Sequence, residues 1–180
     1  MNKENTMKKS LFLFVFLSIL SASAASAQII YENPRNPVFP DKTGYVNDFS
    51  GIFPPKTKIH LEKILKNYEE KTGRTFLVVS FPVLNCIFQE AMCTHALSRQ
   101  WGVKKNNPHS IILFISGAAS RGQMSYLGLG VAEKALFDEK SYYSFISETV
   151  EPLIGKGKTF EAYVAYVDFV IRALNTPVAK

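Results

Sequence analysis

The chain reads as an α/β protein with a mixed sheet, and three observations predict it. Two nearly unbroken apolar runs, at Thr75–Phe81 and residues 111–115, are too short to cross a membrane and suit strands buried on both faces. Helical periodicity lies between them, which makes a strand–helix–strand unit and therefore a parallel pair. The short turn over residues 117–122 then returns the chain as residues 123–127, so the next strand is antiparallel.

Residues 1–27 are set apart before any fold reasoning. Lys8 and Lys9 precede an apolar run over residues 11–20, and Ala25, Ser26 and Ala27 follow. A charged start, an apolar centre and an A-x-A site make a secretory signal peptide. The apolar centre is shorter than the roughly 20 residues of a membrane helix. Cleavage near Ala27 is expected, with Gln28 as the mature N-terminus and a periplasmic or secreted location. No later stretch is long and apolar enough to span a bilayer, so no transmembrane segment is expected in the mature chain. The net charge is +6, and losing the three lysines and one glutamate of the leader makes it +4. Basic residues are scattered, without the stripe that nucleic-acid binding requires.

Cys86 and Cys93 are the two cysteines, and outside the cytoplasm they are allowed to pair. On one continuous helix their Cα atoms would stand about 10 Å apart, beyond disulfide reach. A Cys86–Cys93 bridge therefore requires Cys86 to lie in the loop before the helix, and both arrangements stay open. The spacing lacks the CxxC of a zinc site.

The remaining elements follow in order. Residues 28–43 carry Pro34, Pro37 and Pro40 and read as an extended leader. Residues 44–53 read as a turn-rich segment that packs Val46, Phe49 and Ile52 onto the core. Pro54 and Pro55 open a first helix, where a missing N–H costs nothing. Leu61, Ile64, Leu65 and Tyr68 give its apolar stripe, and Gly73 closes it. Phe88, Ala91, Met92, His95 and Ala96 make the stripe of a second helix that ends near Trp101. Residues 131–137 are a short helix or turn, and Asp138 caps the next helix, which runs to Gly155. A last amphipathic helix carries Phe160, Tyr163, Val164, Val167, Val170, Ile171 and Leu174. The expected domain is residues 44–175, with 176–180 as a tail.

Four pieces in this order carry a family resemblance: residues 46–53 (VNDFSGIF), Lys71-Thr72-Gly73 before the first strand, Trp101-Gly102 before the second, and Gly128-Leu129-Gly130. The chain resembles a TPM domain, a family named after thylakoid, bacterial and worm members and also called the TPM-phosphatase domain. The resemblance implies a three-layer α/β/α sandwich on a mixed, mostly parallel sheet with a hairpin strand. It also implies an extracytoplasmic place. One plant member is described as an acid phosphatase, some members bind calcium through acidic residues, and others are accessory proteins of membrane complexes. Many bacterial relatives add a C-terminal membrane helix and a Gly-rich tail, which are not seen here. Where the family commonly has Glu-Val-Gly-Tyr-Gly-Leu-Glu, this chain has Tyr126 and Leu127 before the glycines and Ala132 in place of the second glutamate. Glu133 lies one place along.

Several residues could carry chemistry. Gly128 and Gly130 could cradle a phosphate at a helix start, although two glycines without a third also make a plain turn. Asp48, Glu133 and Asp138, with Glu139, could converge as oxygen ligands for Ca²⁺ or another divalent cation. Asp138 equally suits an N-cap, and Asp48 an Asx turn. His95 lies on the predicted apolar face, while His60 and His109 sit on a helix and at a loop end. Neither cysteine begins a Cys-x5-Arg signature, no serine has a nucleophile-elbow context, and the catalytic residues are unknown. The expected function is an accessory or binding module of an envelope protein complex with a weak divalent-cation site; the alternative is a metal-dependent phosphomonoester hydrolase.

Overall fold

The computed structural model describes residues 38–81, 90–103, 108–118 and 122–175. The expected signal segment, most of the expected leader, Cys86, Phe88, the tip of the hairpin and the expected tail over residues 176–180 lie outside the described residues. One four-stranded sheet has the order β1 (Val46–Asp48), β2 (Thr75–Phe81), β3 (Ser110–Ala118) and β4 (Gly122–Leu129). β1 and β3 run parallel to β2, and β4 returns antiparallel to β3. The sheet is therefore mixed and mostly parallel, with a hairpin strand at one edge, as the sequence predicts.

Both faces are covered, which is why all seven residues of β2 are buried. Side chains alternate across a strand, so Phe76 and Val78 face one layer while Leu77, Val79 and Phe81 face the other. Against the first face pack helices α1 (Pro55–Thr72) and α6 (Thr159–Ala173). They contribute Leu61, Leu65 and Tyr68, and Tyr163, Tyr166, Val167 and Val170. Against the second packs α2 (Glu90–Gln100), through Cys93 and Leu97. Two helical layers with a sheet between them make an α/β/α sandwich.

α1 starts as expected, with Pro54 as N-cap residue and Pro55 in the first turn. It ends where Gly73 adopts φ 75° and its N–H bonds Glu69 O at 2.8 Å; only glycine takes that left-handed position without strain.

Four features differ from the sequence reading. Within the turn-rich segment, residues 46–48 form a strand: the N–H groups of Tyr45 and Val46 are held by the Glu62 carboxylate at 3.0 and 2.9 Å, and Val78 N donates to Tyr45 O. The end of the leader is strapped to α2. Phe39 is buried, its backbone exchanges two hydrogen bonds with the Gln100 amide, and Trp101 Nε1 donates to Pro40 O. The buried face of α2 runs through Cys93, Thr94, Leu97 and Ser98, and His95 is exposed rather than on the apolar face.

The fourth difference is the helix after Asp138. It runs as α4 (Glu139–Phe145), a π turn over Ile146–Val150 and α5 (Glu151–Gly155). Pro152 explains the interruption: it has no N–H to continue an α ladder, and its ring crowds the preceding turn. α3 (Val131–Leu136) is the short helix that precedes it.

Candidate functional site

The glycines around the strand-to-helix turn after β4 could cradle a phosphate or make a plain turn, and the structure gives both of them a packing reason. Gly128 is not in the turn. It lies inside β4 opposite Ile112, where a Cβ would stand 2.7 Å from Thr94 Cγ2 of α2. Gly130 is the N-cap residue of α3, with Lys134 N bonding its carbonyl at 2.9 Å. A Cβ there would meet the Glu133 carboxylate and stand 2.8 Å from Pro108 O. Protein atoms, rather than space for a phosphate, crowd both positions, and the six-residue α3 is a short source of dipole.

Glu133 points inward. Its side chain is fully buried, with Oε1 3.3 Å from Arg74 Nε and 2.9 Å from His109 Nδ1. Arg74 is 2% exposed, and its Nη1 reaches Leu174 O at 3.4 Å. The same carbonyl accepts from the Tyr68 hydroxyl. This network ties α1, the starts of β2 and β3, α3 and the end of α6 together. It uses the charge of Glu133 to neutralise a buried guanidinium, the condition under which a charge tolerates burial.

Asp48 sits at the other end of the sheet. It closes β1 beside Ser80, whose hydroxyl it accepts, and it also accepts Ile52 N at 3.1 Å and Phe53 N at 2.9 Å. Arg74 precedes β2 while Ser80 is near its end, so six residues of strand separate Glu133's partner from Asp48's. At 3.3 Å per residue that is about 20 Å. Asp138 is exposed and caps α4, accepting from Lys140 N, Ser141 N and the Ser141 hydroxyl. The Ser141 hydroxyl, with the two backbone N–H groups, holds its carboxyl below the usual aspartate value. Glu139 is exposed on the same helix. Asp48, Glu133 and Asp138 thus do not converge, and among the described residues no group of three or more His, Cys, Asp or Glu is placed to hold a metal ion.

A family model described as the TPM domain matches residues 46–173. The chain belongs to the TPM domain family. Among solved structures, this TPM domain is similar to the N-terminal domain of a protein from P. gingivalis, determined by solution NMR. The TM-score is 0.62 at 20% identity, over 77% of this chain and 88% of that one. That likeness shows the fold alone. No curated protein matches.

On this TPM domain β4 is one of two edge strands, pairing only with β3 as β1 pairs only with β2 among the described strands. Beside β4 a 420 Å³ cleft runs between the strand and the α3–α4 segment, lined by Leu127, Phe137 and Tyr142 among others. Tyr126 and Tyr143 in its lining are exposed, at 37 and 66%, and so is Leu136, at 58%, directly before the lining Phe137 in the chain. Lys134 and Glu139 line it with opposite charges. No described helix of the domain is long and apolar enough to cross a membrane.

The sequence reading missed Arg74. An arginine directly after a helix-closing glycine and before a nearly all-apolar strand is the one signal that could have marked Arg74 as buried. His60 and His95 are exposed, and His109 is half-buried against Glu133. Cys93 is buried on α2, and Cys86 lies outside the described residues.

Proposed function

We propose that this TPM domain is an extracytoplasmic binding module that serves an envelope protein complex. The observation that carries the reading is the β4 edge, bordered by exposed Tyr126 and Tyr143 and by a cleft that mixes apolar side chains with Lys134 and Glu139. An extended segment of a partner protein suits it: main-chain groups of an edge strand supply hydrogen bonds, and side-chain pockets supply selectivity. Exposed aromatic residues are the type that anchors such interfaces. The phosphomonoester hydrolase reading has less support, because the carboxylates that would hold its metal are separated and each is bonded within the protein. The oxidising compartment this proposal requires also permits a Cys86–Cys93 bridge, which mass spectrometry of the non-reduced protein tests.

The experiment is photo-crosslinking from position 143 in envelope extract, with Leu136→Asp as the control. A discrete protein adduct that disappears in the control is the expected result, and recovery of the domain alone would overturn the reading. A parallel assay uses a generic phosphomonoester with Ca²⁺, Mg²⁺ or Mn²⁺. Turnover that vanishes in Asp48→Ala would favour the hydrolase instead.

A further inference from the structure

Four aromatic side chains and one charge of each sign converge on the cleft beside β4. Tyr126 comes from the strand, and Phe137, Tyr142 and Tyr143 come from the α3–α4 segment. Tyr142 is the hub of the group. Its ring centroid lies 5.4 Å from that of Phe137 at 59°, and 5.3 Å from that of Tyr143 at 64°. The hydroxyls of Tyr142 and Tyr166 meet at 2.5 Å, which anchors the hub to α6. Tyr143 is 66% and Tyr126 37% exposed, so this group presents ring surface to solvent, unlike a cluster of the core.

The chemistry of that surface decides what it receives. An aromatic face carries a negative quadrupole and attracts an ammonium or guanidinium group. Glu139, exposed at the start of α4, adds a full negative charge to the same lining. Lys134, also exposed, lines the cleft as well, and a cation by itself would meet its repulsion. A guest that carries both charges answers both residues. Its cation goes to the tyrosine rings and Glu139, and its carboxylate goes to Lys134. Complementary charges of this kind chiefly set selectivity and orientation.

We propose that the partner segment docked on β4 carries one basic and one acidic side chain and seats both in this cleft. Alternate residues of a strand share a face, so the two lie an even number of positions apart. The basic group rests against Tyr142 and Tyr143 beside Glu139, and the acidic group pairs with Lys134. This inference rests on the β4-edge docking reading and names the chemistry of its partner.

The test is an amide-resolved NMR titration of the full purified chain with short capped peptides of valine and threonine. The lead peptide has lysine at its second position and glutamate at its fourth. One comparison peptide replaces lysine by norleucine, which keeps the chain and drops the charge. The other replaces glutamate by glutamine. The expected result is saturable shifts at Leu127, Lys134 and Tyr143, with the lead peptide binding about threefold to tenfold tighter than either comparison. Glu139→Gln and Tyr143→Leu should each erase most of the preference for lysine over norleucine. Lys134→Gln should erase the preference for glutamate over glutamine. All three positions are exposed, and an unchanged melting temperature checks that each variant is folded. The inference is overturned if no peptide saturates, if the norleucine peptide binds as well as the lead peptide, or if the preferences persist in the variants. In any of those cases a crosslinked adduct from position 143 leaves the docking reading standing, and its absence removes that reading too.

Discussion

Arg74 and Glu133, 59 positions apart in sequence, meet at 3.3 Å with both side chains out of solvent. A buried pair of this kind is weak evidence for net stability, because desolvation offsets much of the attraction, but breaking it strands a charge. Glu133→Ala or Arg74→Met alone should therefore cost about 3–5 kcal/mol. Replacing both, as Arg74→Met with Glu133→Leu, should recover most of that loss. Urea unfolding of the two single variants and the double variant checks it; additive losses would show that the residues act independently.

Gly128 and Thr94 are coupled by contact. A methyl at 128 would stand 2.7 Å from Thr94 Cγ2, closer than real Cβ contacts come. Gly128→Ala should destabilise by about 1–3 kcal/mol, the usual range for overpacking. Thr94→Ser removes the opposing methyl, so the double variant should be more stable than Gly128→Ala alone. A thermal-melt double-mutant cycle measures the coupling. Its absence would mean that α2 shifts away from the hairpin instead.

The parts of the fold that were legible in sequence are those where one physical signal acts locally. β2 and β3 announce themselves as apolar runs because they are covered on both faces, and Gly73 marks its helix end through the backbone position it takes. β1 was hidden because it is only three residues long and the N–H of its first residue, Val46, is held by Glu62, sixteen positions away. The break at residues 146–150 was hidden because the apolar stripe continues through it while only Pro152 disturbs the ladder. At the candidate site, Glu133 read as a ligand because its position near a Gly-x-Gly turn is local, whereas its partner Arg74 comes from across the fold.

Asp138 gives the domain a pH-dependent element. Its folded-state pKa is lowered, first by the Ser141 hydroxyl and then by the N–H groups of Ser141 and Lys140. The carboxylate is thus favoured in the folded protein. Its contribution is present above the ordinary aspartate value of about 3.9 and is lost as pH falls below that toward the lowered value. Asp138→Ala should melt earlier than the parent protein at neutral pH, and the gap should narrow below about pH 4. Melting curves across that window check the sign, and a gap that widens with acid would contradict it.

The last prediction concerns Asp48, the acidic residue that the sequence most readily casts as a metal ligand. Both of its oxygens are engaged: Oδ1 accepts from Ile52 N and the Ser80 hydroxyl, and Oδ2 from Phe53 N. These bonds fold the segment between β1 and α1 back toward the sheet. Hydrogen bonds to a charged acceptor contribute about 1.5–3 kcal/mol, and the residue is half-buried, so Asp48→Ala should cost about 2 kcal/mol. Asp48→Asn should cost less, since its amide oxygen can keep the Oδ1 partners while its NH₂ cannot accept from Phe53 N. The readout is the urea midpoint at unchanged m. The discriminating control is Ca²⁺: if Asp48 acts structurally, added Ca²⁺ shifts the melting temperature of the parent protein and of Asp48→Asn equally. A Ca²⁺-dependent stabilisation lost only in Asp48→Asn would restore a metal role to this carboxylate.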